Sequence, residues 1–181
     1  MIHRIQKTTL LISFALLVFS CTCRAQLTRL GGGLSFSTGI ENAEHKTGNP
    51  ALTGRAVLEL GEKFWLLPTL QFYLPGKRQG STTLFGAMDA DFTYTLATEK
   101  TILFYALAGM DLTFIRTKYD VKDPASKVMP ALNVGTGIEM IIEEDLNAYA
   151  QIKAVAGTYS QYIVISIGVH YYMSGRRYKS W

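Results

Sequence analysis

Two pairs of side chains in this 181-residue chain have the types that chemistry uses. Ser166 and His170 could be a nucleophile and its base, with Asp111 as a third member, because an activated hydroxyl needs an imidazole within hydrogen-bond reach. Their spacing tells against it. Both fall on one face of an extended segment, and four residues at about 3.3 Å each separate them by about 13 Å. Asp89 and Asp91, two apart, could form a carboxylate dyad or begin a hard-metal site. Such a cation wants more convergent oxygens than the sequence places nearby. Gly31-Gly32-Gly33 has the smallness of a phosphate loop but lacks the Lys-Ser/Thr ending and a following helix. Glycine there is expected to permit bending or close approach of backbones. The sequence therefore nominates no catalytic residue, no metal ligand set and no cofactor.

A larger set of charges shares one kind of position. Arg29, Arg55, Glu59, Asp89, Asp91, Asp111, Glu139 and Lys153, with His170, all stand opposite the apolar face of a segment with period two. That period marks strands with unlike faces. Strands are expected at 28–38, 52–60, 64–74, 83–96, 101–114, 128–142, 147–157 and 162–173. In 101–114, Ile102, Phe104, Ala106, Ala108, Met110, Leu112 and Phe114 oppose Thr101, Tyr105, Gly109, Asp111 and Thr113. In 162–173, Ile163, Ile165, Ile167, Val169 and Tyr171 oppose Tyr162, Ser166, Gly168, His170 and Tyr172. No helix caps or 3.6-residue stripes compete with this pattern.

The connections alternate as well. The gaps 39–51, 75–82, 115–127 and 158–161 fall at one end, and the turns near Gly61-Glu62-Lys63 and Glu143-Glu144-Asp145 fall at the other. An up-and-down meander follows, and eight long strands close into a barrel to leave no open edge. An eight-stranded barrel has a lumen just wide enough for side chains. The charges, if inside, must be paired, and Arg55 and Lys153 are expected to meet the acids. The stretch 115–127 is expected to be the most mobile connection.

Residues 1–25 read as a secretory signal: Arg4 and Lys7 precede an apolar run from Thr9 to Phe19, and Cys23 and Ala25 form a small-residue site. Cleavage is expected after Ala25; a lipidated Cys21 is the rival reading. The segment holds both cysteines, so its removal excludes thiolate metal sites and disulfides. It also holds Arg4, Lys7 and Arg24 and no acid. Its loss brings the 18 bases close to the 14 acids, and no case for nucleic-acid binding remains.

The Ala25-Gln26 junction, Asn133-Val134-Gly135-Thr136-Gly137-Ile138-Glu139 and Ile165-Ser166-Ile167-Gly168-Val169-His170-Tyr171-Tyr172 carry a family likeness. On these, residues 26–173 resemble the small outer-membrane β-barrels common in Bacteroidota, of the PorT-like sort, and in architecture the OmpA/OmpX-type barrels. The resemblance implies an all-β transmembrane barrel in the cell outer membrane, with residues 174–181 as a short basic tail. It implies a non-enzymatic monomer with a structural or surface-binding role through extracellular loops. Its partners would be outer-membrane lipid and the barrel-assembly machinery. The basic residues Lys77, Arg78, Lys118, Lys122 and Lys127 lie in the expected outer gaps and are candidates for contact with lipopolysaccharide phosphates. Two other readings stay open: a lipid-modifying barrel enzyme, and a secreted lipocalin-like barrel with the faces inverted. The tail departs from the family pattern, because Gly175, Arg176 and Arg177 interrupt the alternation before the terminal Trp181.

Overall fold

The structure is a computed structural model and describes residues 26–38, 49–78, 81–119, 123–157 and 161–173. Among these, every regular element is a strand: β1 (Gln26–Ser37), β2 (Asn49–Glu59), β3 (Phe64–Tyr73), β4 (Gly76–Arg78), β5 (Ser81–Glu99), β6 (Ile102–Tyr119), β7 (Ala125–Glu143), β8 (Leu146–Gly157) and β9 (Gln161–Tyr172). Each pairs antiparallel with its neighbour, and β1 pairs with β9 from Arg29↔Tyr172 to Ser37↔Val164. The three-residue β4 borders the start of β5, while β3 pairs with β5 directly and continues the wall. The result is a closed eight-stranded up-and-down barrel.

Alternation decides what each face meets. Leu52, Phe72, Phe92, Leu132, Val134 and Ile167 point outward, with Phe72 at 65% exposure, while Arg29, Lys153 and His170 are each 1% exposed. Polar groups fill the middle of the lumen and apolar side chains cover the wall. This inverts the pattern of a soluble barrel and suits a wall that faces lipid. Bulges at Leu27/Arg29, Thr95/Ala97 and Ile141/Glu143 interrupt the ladders near the turn end. The first of them turns both Thr28 and Arg29 inward.

The lumen is not uniformly polar. At the loop end Tyr73, Phe85, Met129, Val155, Tyr162 and Val164 form an apolar layer. Tyr73 and Phe85 stack there with ring centroids 4.0 Å apart. Near the turn end Val57, Trp65, Leu67, Leu103, Tyr105 and Leu107 form a second cluster. An eight-stranded lumen is filled by side chains, and these residues are the filling.

The structure corrects the boundaries of all four expected gaps at the loop end. The expected loop 115–127 is mostly strand: β6 runs to Tyr119, β7 starts at Ala125, and Thr117 pairs with Ala125. Only 120–124 separate the two strands, so the connection is shorter than expected. The expected loop 75–82 contains β4 and the first residues of β5. The last expected gap also shortens, since β9 begins at Gln161, and so does the gap 39–51, since β2 begins at Asn49. In 115–127 hydrogen bonding continues although the outer face of β6 changes from apolar to basic above Phe114. A strand needs its ladder, and its lipid-facing pattern only where lipid is present. The signal segment 1–25, its cleavage site and the tail 174–181 lie outside the described residues.

Candidate functional site

The buried charges fall into two groups. Near the turn end, Arg29 forms an ion pair with Glu139 and reaches Glu59 at 3.8 Å. Its guanidinium lies over the rings of Trp65 and Tyr172, 4.6 Å and 5.2 Å from their centroids. Asn147 Nδ2 donates to Glu139 Oε1 at 2.7 Å, and His170 Nδ1 stands 3.3 Å from the same oxygen. Strands β1, β2, β3, β7, β8 and β9 thus contribute to the group around Glu139 and Arg29.

The second group sits at mid-height. Lys153 Nζ is 2.7 Å from Asp89 and 3.4 Å from Asp91. Gln71 Nε2 donates to Asp89 at 2.9 Å, and Tyr73 Oη donates to Gln71 Oε1 at 2.5 Å. Asp111, directly across the β5–β6 register from Asp89, accepts from Thr113 Oγ1 at 2.6 Å and from Tyr162 Oη at 3.3 Å. Arg55 does not meet an acid in the expected way. Among the described residues it forms no ion pair, and its guanidinium lies over the ring of Tyr149 at 4.3 Å. The face was legible; the partner was not, because an aromatic ring also satisfies a guanidinium.

Glycines on the inner face make room for these large groups. A Cβ on Gly168 would lie 2.7 Å from Tyr149 Oη and 2.8 Å from Gly33 Cα, so the β1–β9 contact requires two glycines beside the Tyr149 ring. A Cβ on Gly135 would lie 2.7 Å from Lys153 Cβ. Gly33, within the Gly31–Gly33 run, thus serves close approach of two backbones.

Ser166 and His170 each have other partners. Ser166 Oγ shares a 2.7 Å hydrogen bond with Ser35, which meets Thr53 at 2.5 Å. His170 instead stacks on Tyr149, centroids 4.5 Å apart. Asp89 and Asp91 are occupied by one lysine, and no cluster of three His, Cys, Asp or Glu arranged for a metal occurs among the described residues.

Outside, the basic residues separate. Lys118 is exposed on the outer face of β6, two positions beyond Arg116, which shares that face. Lys77 pairs with Thr82, and Thr82 pairs with Lys118, so these three stand in one hydrogen-bonded row. Lys127 has the inward parity of Met129 and is exposed above the lumen. Arg78 pairs with Ser81 at the edge. Lys122 lies outside the described residues. Arg116 was not among the expected contact residues, although it follows Phe114 by two positions on the same face; a longer β6 was the missing signal.

Closure, inverted faces and loops gathered at one end decide the architecture. The fold is that of a small outer-membrane β-barrel. Solved structures agree: the barrel resembles Neisserial surface protein A at 13% identity and TM-score 0.67, over 81% of this chain and 97% of that one. It resembles the N-terminal β-barrel domain of Pseudomonas aeruginosa OprF at 15% identity and TM-score 0.62, over 82% and 99%. The attachment invasion locus protein Ail of Yersinia pestis matches at 10% identity and TM-score 0.60, over 81% and 97%. No protein-family model and no curated protein matches the sequence.

Proposed function

We propose that this chain is a non-enzymatic barrel of the outer membrane, related to the PorT-like sort, which works as a structural or surface-binding element through its loop end. The observation that carries this reading is the continuous apolar wall around a charged, filled lumen: the barrel buries its ions and offers its hydrophobic side chains to the surroundings. The loop end would face outward, with both strand termini at the turn end on the periplasmic side. The signal segment, cleaved after Ala25, would deliver the chain to the assembly machinery. A filled lumen favours a non-conducting monomer, and the separated Ser166 and His170 favour no hydrolytic role.

Membrane fractionation of cells expressing the full chain, followed by gel electrophoresis of the detergent extract with and without boiling, tests this reading. Membrane association and a faster-migrating unboiled band are expected. A chain that stays in the soluble fraction and migrates identically in both lanes would overturn it.

A further inference from the structure

The outer wall changes character within one strand. On β6 the outward positions run Phe104, Ala106, Ala108, Met110, Leu112, Phe114, and then Arg116 and Lys118. The register extends this boundary sideways. Phe114 lies between Gly86 and Val128, and in the next outward row Arg116 lies between Leu84 and Ser126. The next row sets Lys118 beside Thr82 and places Lys77 beyond it. Arg116 and Lys118 are exposed, and neither joins an ion pair among the described residues. They are two residues apart, about 7 Å along an extended strand. Both stand on the wall of the barrel, directly above the lipid-facing surface, and not in a loop.

On a barrel resident in a membrane, a charge in that position would meet the headgroup layer. Below it, Met88, Met110, Leu112, Pro130 and Leu132 are exposed on the outer face and continue the apolar wall. Met88, Leu112 and Pro130 share a row two rows beneath Arg116. A guanidinium offers paired donors to phosphate oxygens and an ammonium adds a second cation.

We infer that Arg116 and Lys118 form a binding site on the barrel wall for the phosphate of a membrane lipid, whose acyl chains lie against Phe114, Leu112 and the apolar wall below. The occupant is a phosphorylated lipid of the leaflet at the loop end, so the inference rests on the proposed membrane residence. It assigns recognition to the wall, whereas that proposal leaves it with the loops. Thr82 and Ser126 flank the pair and supply hydroxyls to the same layer.

The test uses the full chain, extracted and purified in a non-ionic detergent, and titrated with bis-phosphorylated lipid A. Parallel titrations use lipid A stripped of both phosphates and inorganic phosphate. Binding is read by native mass spectrometry and by the temperature at which the unboiled gel band is lost. Bis-phosphorylated lipid A is expected to bind and to raise that temperature. The stripped lipid should bind at least tenfold more weakly, and inorganic phosphate should leave the temperature unchanged. The R116Q/K118Q variant should lose at least tenfold in affinity for the phosphorylated lipid, whereas K63Q/K100Q at the turn end should bind like the parent. R116K/K118R, which keeps both charges, should bind within about threefold of the parent, and it serves as the folded reference should the glutamine variant fail to fold. In that case loss of binding by the parent in high salt replaces the variant readout. Equal binding of stripped and phosphorylated lipid would overturn the inference. So would unimpaired R116Q/K118Q, salt-insensitive binding, or an equal response to inorganic phosphate. A chain without a heat-sensitive band refutes the membrane-barrel reading itself, a failure distinct from that of a folded barrel that ignores the phosphate.

Discussion

Replacing Lys153 by Met tests the mid-lumen network most directly. Lys153 Nζ stands 2.7 Å from Asp89 and 3.4 Å from Asp91, and all three side chains are at most 1% exposed. At an effective dielectric of about 20, unit charges 2.7 Å apart attract by roughly 6 kcal/mol, from which the cost of desolvating both must be subtracted. Removing one partner of a buried pair costs about 3–5 kcal/mol, because the other charge is left uncompensated. Here one ammonium serves two carboxylates, so K153M should cost about 4–5 kcal/mol. Methionine keeps a similar volume, which limits the contribution of an empty space. The triple variant K153M/D89N/D91N removes the stranded charges and should recover all but about 1–2 kcal/mol, since replacing a whole buried ion cluster is often nearly neutral. Urea unfolding in lipid vesicles, followed by the loss of the heat-sensitive gel band, measures both. K100M at an exposed turn should cost under about 0.5 kcal/mol. A K153M cost below about 1 kcal/mol, or a triple variant no more stable than K153M, would refute the electrostatic reasoning.

Ala108 lies outward between Phe92 and Val134, within the lipid-facing wall, and A108R should cost about 2–4 kcal/mol in the same unfolding assay if that position is at mid-membrane. Single cysteines at Ala108 or Ile165 should resist a water-soluble maleimide in vesicles, while cysteines at Lys118 or Asp123 should react readily; equal labelling would place the wall in water. Gly168→Val should destabilise by about 1–3 kcal/mol through overpacking, because its Cβ would approach Tyr149 Oη and Gly33 Cα. The control Gly61→Ala, where an added Cβ meets nothing within 4 Å, should be close to neutral by the same measurement.

Period-two alternation was enough to identify strands, their number and the faces that hold Arg29, Asp89, Asp91, Asp111, Glu139 and Lys153. Alternation is a local property, set by the opposite projection of successive side chains, and it is written in neighbouring residues. Leu103, Leu107, Phe85 and Met129 share the parity of the inward charges, but their gathering into two apolar layers of the lumen was not legible in the same way. Parity sets the side of an apolar residue, but only closure of the sheet brings such residues from different strands together at one height. The ends of β5, β6 and β7 were hidden for a related reason: outside the lipid, both faces of a strand can be polar, so the alternation fades while the hydrogen bonds continue to Tyr119 and Ala125.

Partners inside the lumen were settled by register and tilt. Lys153 meets Asp89 and Asp91 across the barrel, over more than sixty residues of sequence, and Arg55 meets the Tyr149 ring instead of an acid. No spacing encodes such contacts, since they depend on how far each strand has slid along its neighbours around the closed wall. The chain alone therefore determined which residues turn away from lipid, through the two-residue period of an extended backbone. The tertiary structure decided whom they meet there, because a narrow closed lumen brings side chains of distant strands to the same height.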